Sequence, residues 1–201
     1  HCVTGVQTCA LPIYVVSPEL GGISTAAGGD VSLVAGQNIT AFLPNGISSN
    51  HQDAGSGAFG PDPGNVTVTA GQNIFGHFVV ANGQGKISAG RAAGDSSRPL
   101  ALSLVSGKWD VSADSISLQE VRNPNGVFNA VGSGSPPPPN RFLFDYADSA
   151  SVSLAARNSI LLGAGAPPRI PNAPVPSIFP PSLSMSAGAG GISIAQAFSL
   201  F

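Results

Sequence analysis

An eleven-residue phrase that occurs twice constrains this chain more than any other feature. Gly29-Asp-Val-Ser-Leu-Val-Ala-Gly-Gln-Asn-Ile39 returns thirty-five residues later as Gly64-Asn-Val-Thr-Val-Thr-Ala-Gly-Gln-Asn-Ile74. Each copy alternates apolar and polar residues with period two, the mark of a strand with one buried face. In the first copy Val31, Leu33 and Ala35 share one face, and Ser32 and Val34 share the other. Ala-Gly then turns a corner, where a tiny or absent side chain lets the backbone bend sharply. Ile39 returns to the interior as the next short strand begins. A unit this small cannot bury its apolar face alone, so the pattern predicts a repeat stacked on copies of itself.

Weaker copies follow. With the first inward apolar residue as marker, Val31 and Val66 are succeeded by Ile87, Trp109, Val152 and Leu183, at steps of 35, 21, 22, 43 and 31 residues. Steps of 21 and 22 read as one coil, and 43 as two coils with a degenerate turn around Val121 to Val131. Steps of 35 and 31 read as one coil carrying an insertion. Composition shifts mark the insertions. Residues 43–63 are rich in Gly, Asn, Ser and Pro, residues 167–181 are rich in Pro, and residues 132–140 contain Pro136-Pro-Pro-Pro139. Proline lacks an N–H donor and glycine weakens a strand, so these stretches are expected as loops. The fold expected is all-β, a right-handed parallel β-helix (β-solenoid) with rungs of about 20–22 residues and loop insertions. About four apolar side chains per rung would contribute roughly 1.5–3 kcal/mol each when fully buried. One rung cannot offset the entropy of ordering it, so stacked neighbours are required.

Composition agrees. With 26 glycines and 18 prolines, no window offers a convincing amphipathic helix. Charged residues make up 9% of the chain, against about a quarter in an ordinary domain. The 42% hydrophobic content separates this from charge-driven disorder. Ser, Thr, Asn, Gln and Gly stand where charges usually do, as stacking demands, because like charges one strand apart repel. A net charge of −2 with eight scattered Lys and Arg gives no attraction to nucleic acid. No run is long and apolar enough to cross a membrane as a helix.

Residues 1–13 stand apart. Val3-Thr-Gly-Val-Gln-Thr-Cys-Ala-Leu-Pro-Ile13 reads as the in-frame translation of a sequencing-library adapter, and His1 and Cys2 lie upstream of it. Residues 1–13 are therefore expected to be non-native and residues 14–201 to form the β-helix. Cys2 and Cys9 are the two cysteines of the chain, so the native part is expected to be cysteine-free. The last stretch, Ala195-Gln-Ala-Phe-Ser-Leu-Phe201, stops in mid-strand without a cap. The chain reads as a fragment of something longer.

Gly29 to Ile39, Gly64 to Ile74, Gly107 to Asn125, Phe144 to Ile160 and Ile178 to Ile192 together cover most of residues 14–201. In these stretches the chain resembles the filamentous haemagglutinin-like exoproteins of Gram-negative bacteria, secreted by the two-partner route. The alternation alone is shared by many β-solenoids. More particular are Leu118-Gln-Glu-Val-Arg-Asn-Pro-Asn-Gly126 and Phe179-Pro-Pro-Ser-Leu-Ser-Met-Ser-Ala-Gly-Ala-Gly-Gly191. The resemblance implies a long β-helical shaft, secreted or displayed at the cell surface through an outer-membrane transporter barrel. It implies a role as an adhesin or toxin-presenting stalk that meets glycans or proteins on host or neighbouring cells. The secretion domain that defines the route is not among these residues.

Two other classes remain open. An autotransporter passenger would continue into its own C-terminal barrel. A β-helix carbohydrate-active enzyme, either a polysaccharide lyase or a glycoside hydrolase, would carry acidic groups along one face. A hydrolase needs two carboxylates roughly 5–9.5 Å apart, and the available pairs are Asp110 with Asp114 and Asp145 with Asp148. Neither has a supporting Arg, Lys or aromatic platform, so solvated turn residues are the expectation. His51, Asp53 and His77 lack the spacing of a metal site. No catalytic, cofactor-binding or metal residue is therefore expected. Asn38 and Asn73 follow Gln in the same repeat slot and are expected to satisfy backbone groups at corners, as stacked Asn ladders do. The sequons Asn38-Ile-Thr40 and Asn65-Val-Thr67 are formal matches. Phe142, Phe144 and Tyr146 read as a core-facing strand rather than an exposed aromatic strip. The proline runs read as rigid spacers rather than docking ligands. A binding site, if one exists, belongs on the three insertions.

Overall fold

The computed structural model describes residues 22–41, 55–123, 146–163, 177–195 and 198–200. The described residues are all-β, with no helix. The strands run β1 (Ser24–Thr25), β2 (Val31–Ala35), β3 (Ile39–Thr40), β4 (Ser56–Ala58) and β5 (Val66–Ala70). Next come β6 (Ile74–Val80), β7 (Gln84–Ala89), β8 (Ala92–Ala93), β9 (Leu100–Leu104) and the long β10 (Lys108–Arg122). The series ends with β11 (Ser151–Leu162), β12 (Ser177–Phe179), β13 (Ser182–Ser186), β14 (Gly191–Ile194) and β15 (Phe198–Leu200). Every pairing among them is parallel.

The pairings form three ladders. The first runs β2, β5, β7, the start of β10, the start of β11, then β13. Its inner positions form columns: Val31, Val66, Gly85, Trp109, Val152 and Leu183 in one, and Leu33, Val68, Ile87, Val111, Leu154 and Met185 in the next. The second runs β3, the start of β6, β8, the middle of β10, the end of β11, then β14. Its inner column reads Ile39, Ile74, Ala93, Ile116, Ile160 and Ile192. The third runs β1, β4, the end of β6, β9 and the end of β10. Phe78, Leu102 and Val121 share its inner face, and Trp109, Ile116 and Leu154 join them in one core. Parallel strands cannot be joined by a tight hairpin. Each chain excursion therefore visits other ladders before returning one strand higher, and this is how a local alternation becomes a continuous interior.

Four sequence expectations need correction. The third copy is out of phase: Gly85, not Ile87, lies between Val66 and Trp109, while Ile87 pairs with Val68 and Val111. The step of 43 is not two coils, because Trp109 pairs directly with Val152 and no strand stands between them. The stretch 43–63 is not loop throughout, since Ser56–Ala58 forms β4 and pairs with both β1 and β6. Glycine is needed at position 57, where φ is 148° and an added Cβ would clash with the Val79 carbonyl. The stretch 167–181 likewise ends in β12, which pairs with β15. The insertion at 132–140 and the segment 1–13, with Cys2 and Cys9, lie outside the described residues.

Candidate functional site

From β4 through the end of β6 and β9 to the end of β10, the third ladder is buried on both faces. Alternation sends every second side chain away from the core, and on the first ladder those positions, Ser32, Thr67, Lys86 and Asp110, are exposed. On the third, the corresponding residues are His77 and Val79 on β6, Ala101 and Ser103 on β9, and Glu120 and Arg122 on β10, all buried. Register places His77, Ala101 and Glu120 in one column and Val79, Ser103 and Arg122 in the next. A bulge at Gln119, where Leu118 pairs with Leu100 and Glu120 with Ala101, brings the carboxylate into this row.

Three interactions organise the row. His77 Nε2 and Ser103 Oγ lie 2.7 Å apart, across neighbouring strands. The Arg122 guanidinium donates from Nη2 to Glu120 Oε1, two residues away on the same face, with both side chains buried. Tyr146 is buried beside this pair. Burial, reinforced by the Glu120 charge and partly offset by Arg122, pushes the Tyr146 hydroxyl well above its ordinary value and keeps it protonated. Backbone packs tightly on the histidine: a Cβ added at Gly55 would stand 2.7 Å from His77 Nδ1.

A serine hydrogen-bonded to a histidine is the arrangement of an activated nucleophile and its base. Here both side chains have no solvent exposure, so the hydroxyl does not open onto the surface. The charges obey the same logic, because a buried ion pair persists only when partnered. Sequence reasoning missed this row. His77 was weighed only as a metal ligand, and Glu120 and Arg122 entered only as part of the phrase Leu118 to Gly126.

Of the acidic candidates, Asp110, Asp114 and Asp148 are described, and all three lie at the surface. Asp110 and Asp114 are exposed on β10, and Asp114 Oδ1 accepts from Arg157 Nε at 3.3 Å on β11. Arg157 also donates from Nη2 to Gly90 O at 2.8 Å. Asp148 is exposed, while Asp145, His51, Asp53, Phe142 and Phe144 lie outside the described residues. Among the described residues no three His, Cys, Asp or Glu side chains converge as a metal would require. Tyr146 is buried, as the core reading expects.

The corner asparagines do stack. Asn38 Oδ1 accepts from Asn73 N at 3.1 Å and from Asn73 Nδ2 at 2.8 Å, and Asn73 Oδ1 accepts from Ala92 N at 3.2 Å. A second series, which the sequence reading did not anticipate, begins at Asp30. Its Oδ1 accepts from Asn65 N at 2.8 Å, and Asn65 Oδ1 accepts from Gln84 N at 3.1 Å. In both, a side-chain oxygen satisfies a backbone donor one strand higher where the ladder bonds stop. The Asn65 amide of the second sequon is thus engaged in the framework. On another surface Arg98 lies 3.8 Å over the Phe75 ring and bonds Asp95 Oδ2 at 3.1 Å. Burial works against the Asp95 charge, but hydrogen bonds from Ser97 and Arg98 outweigh it and hold the carboxyl below its ordinary value.

No protein-family model, curated protein or solved structure matches the chain. The functional reading therefore rests on its own geometry and residues.

Proposed function

We propose that this chain is a length of right-handed parallel β-helical shaft from a large filamentous haemagglutinin-like exoprotein. In this reading the exoprotein is secreted or displayed at the surface of a Gram-negative bacterium through a two-partner outer-membrane barrel. Its task is mechanical, holding adhesive or toxic elements away from the cell and making repeated weak contacts with glycans or proteins of facing cells.

The observation that carries this reading is the column of Ile39, Ile74, Ala93, Ile116, Ile160 and Ile192, continuous through six stacked strands. Such a column resists bending without presenting chemistry to solvent. The burial of the His77, Ser103, Glu120 and Arg122 row supports it too, since the concentrated polar groups face packing rather than a cleft. Right-handedness follows the general preference for crossovers between parallel strands of one sheet.

The test uses the source bacterium, with the complete gene and the adjacent transporter gene intact or deleted. Antibodies raised against this chain should label intact cells, and transporter deletion should abolish labelling while leaving total protein detectable. Labelling that survives the deletion rules out the two-partner route. Depolymerisation of a polysaccharide by the purified chain would replace the shaft reading with the enzyme alternative.

A further inference from the structure

The chain turns from the third ladder into the first at residues 59–65, again at 81–83 and again at 105–107. These turns join β4 to β5, β6 to β7 and β9 to β10. They are internal to the stack, since β2 pairs below β5 and β11 above β10. One side chain ties all three. Asn82 Nδ2 donates to Gly60 O at 2.7 Å and to Pro61 O at 3.0 Å in the turn below. Asn82 Oδ1 accepts from Ser106 Oγ in the turn above. The backbone follows suit, as Gly64 N donates to Asn82 O and Lys108 N to Gly83 O, both at 3.0 Å.

Stacking dictates the residue after Asn82. A Cβ at position 83 would clash with Gly64 O in the turn below, so the position takes glycine. That glycine has a chemical consequence, because with no Cβ beside it the Gly83 nitrogen approaches a neighbouring carbonyl carbon unhindered. The Gly83 N–H proton passes to solvent base as the nitrogen bonds to Asn82 Cγ. The Cγ–Nδ2 bond then breaks, Nδ2 leaves as ammonia, and a five-membered succinimide remains. Water adds to one of the two ring carbonyls, and the ring C–N bond at that carbon breaks. The product at position 82 is aspartate or isoaspartate. Water and base are the only co-reactants, and half-buried Asn82 meets both.

We propose that Asn82-Gly83 is a self-modifying site, restrained by the closed turn, whose product opens that turn for good. Three hydrogen bonds hold the Asn82 amide on Gly60, Pro61 and Ser106, and Cγ reaches the Gly83 nitrogen only when they are given up. Reaction therefore waits on local opening. Once formed, the carboxylate sets an acceptor-only group against two carbonyl oxygens. Isoaspartate also routes the backbone through Cγ, adding a methylene to a turn packed between Gly64 and Gly107. Neither product restores the latch, so the change runs one way.

The test follows the full chain by peptide mass spectrometry at constant temperature and mildly alkaline pH, in native buffer and in denaturant. Asn45-Gly46 and Asn125-Gly126, the other Asn-Gly pairs of the sequence, report the intrinsic rate in denaturant. There all three pairs should convert alike. In native buffer Asn82 should convert about tenfold more slowly, the factor that one net hydrogen bond implies. Ser106→Ala releases the amide oxygen and should speed the native reaction several-fold. Asn82→Asp, the direct product, should raise hydrogen exchange at the Gly64 and Lys108 amides while leaving Ala92, bonded to Asn73, protected. Equal rates in native buffer and denaturant overturn the proposal whether or not the variants fold. So do a Ser106→Ala rate that matches wild type, or exchange at Gly64 and Lys108 that Asn82→Asp leaves unchanged.

Discussion

Trp109 and Gly85 occupy the same column on adjacent strands, and the indole lies where a Gly85 side chain would be. A Cβ built on Gly85 would clash with the Trp109 ring, at Cε3, Cζ3 and Cδ2. Above and below, the column carries Val152 and Val66, so the largest side chain of the core is accommodated by deleting its neighbour. The Trp109 indole N–H is satisfied inside, donating to Ser103 O at 3.0 Å. Gly85→Ala should therefore destabilise the chain by about 1–3 kcal/mol through overpacking. Gly85→Val with Trp109→Val, which restores a valine column, should cost less than the sum of the two single changes. Denaturant midpoints in a double-mutant cycle measure the coupling; strict additivity would show that the two residues do not share the space.

Asn73 is the middle of the corner series and bonds both ways. Asn73→Ala deletes the acceptor for Ala92 N and the amide donor to Asn38. The expected loss is about 1–2 kcal/mol, near one net hydrogen bond for each contact. Asn38→Ala removes the acceptor of both Asn73 donors, again two hydrogen bonds, and should cost about the same. Chemical denaturation of both variants is the check, and a loss confined to one of them would mean that the series does not act as a stack.

Glu120 and Arg122 are partners in a buried pair, and breaking such a pair costs more than removing it. Arg122→Leu or Glu120→Leu alone should destabilise by about 3–5 kcal/mol, because the surviving charge stays buried. The double replacement by leucine and methionine should recover most of that loss. Thermal unfolding is the readout, and a double variant no better than the singles would contradict the pairing.

Tyr146 links the same row to pH. Its folded pKa is raised above the ordinary tyrosine value of about 10 by burial first and by Glu120 second, with Arg122 opposing. Folding therefore favours the neutral phenol. Its contribution is complete below about pH 10, and declines as pH climbs toward the folded value, because the unfolded chain ionises first. A spectrophotometric titration of the two tyrosines should show one ionising only together with unfolding. In Tyr146→Phe that late step should vanish. Two ordinary titrations in the wild-type chain would show that Tyr146 is not held in this environment.

Much of this architecture is local and therefore legible in the chain. Alternation in Val31–Ala35 and Val66–Ala70 decides which side chains turn inward, because the strand period is a property of the backbone. The repeated Ala-Gly-Gln-Asn marks corners whose backbone donors need a side-chain acceptor, and Asn38 and Asn73 meet that need. Phase between strands was harder to read: an apolar marker favoured Ile87 over Gly85, since a glycine signals nothing until the Trp109 ring that displaces its side chain is known. The third ladder was hidden because Ser56-Gly-Ala58 has no strand character alone and pairs only because β6 presents an edge to it. Alternation also places His77, Ser103, Glu120 and Arg122 away from the core, which from sequence reads as exposure. The sequence by itself determined period, corner chemistry and the absence of charge that makes stacking tolerable. Only the tertiary structure decided which strands meet, which glycine yields space to tryptophan and which outward row is buried, because those depend on residues brought together from distant parts of the chain.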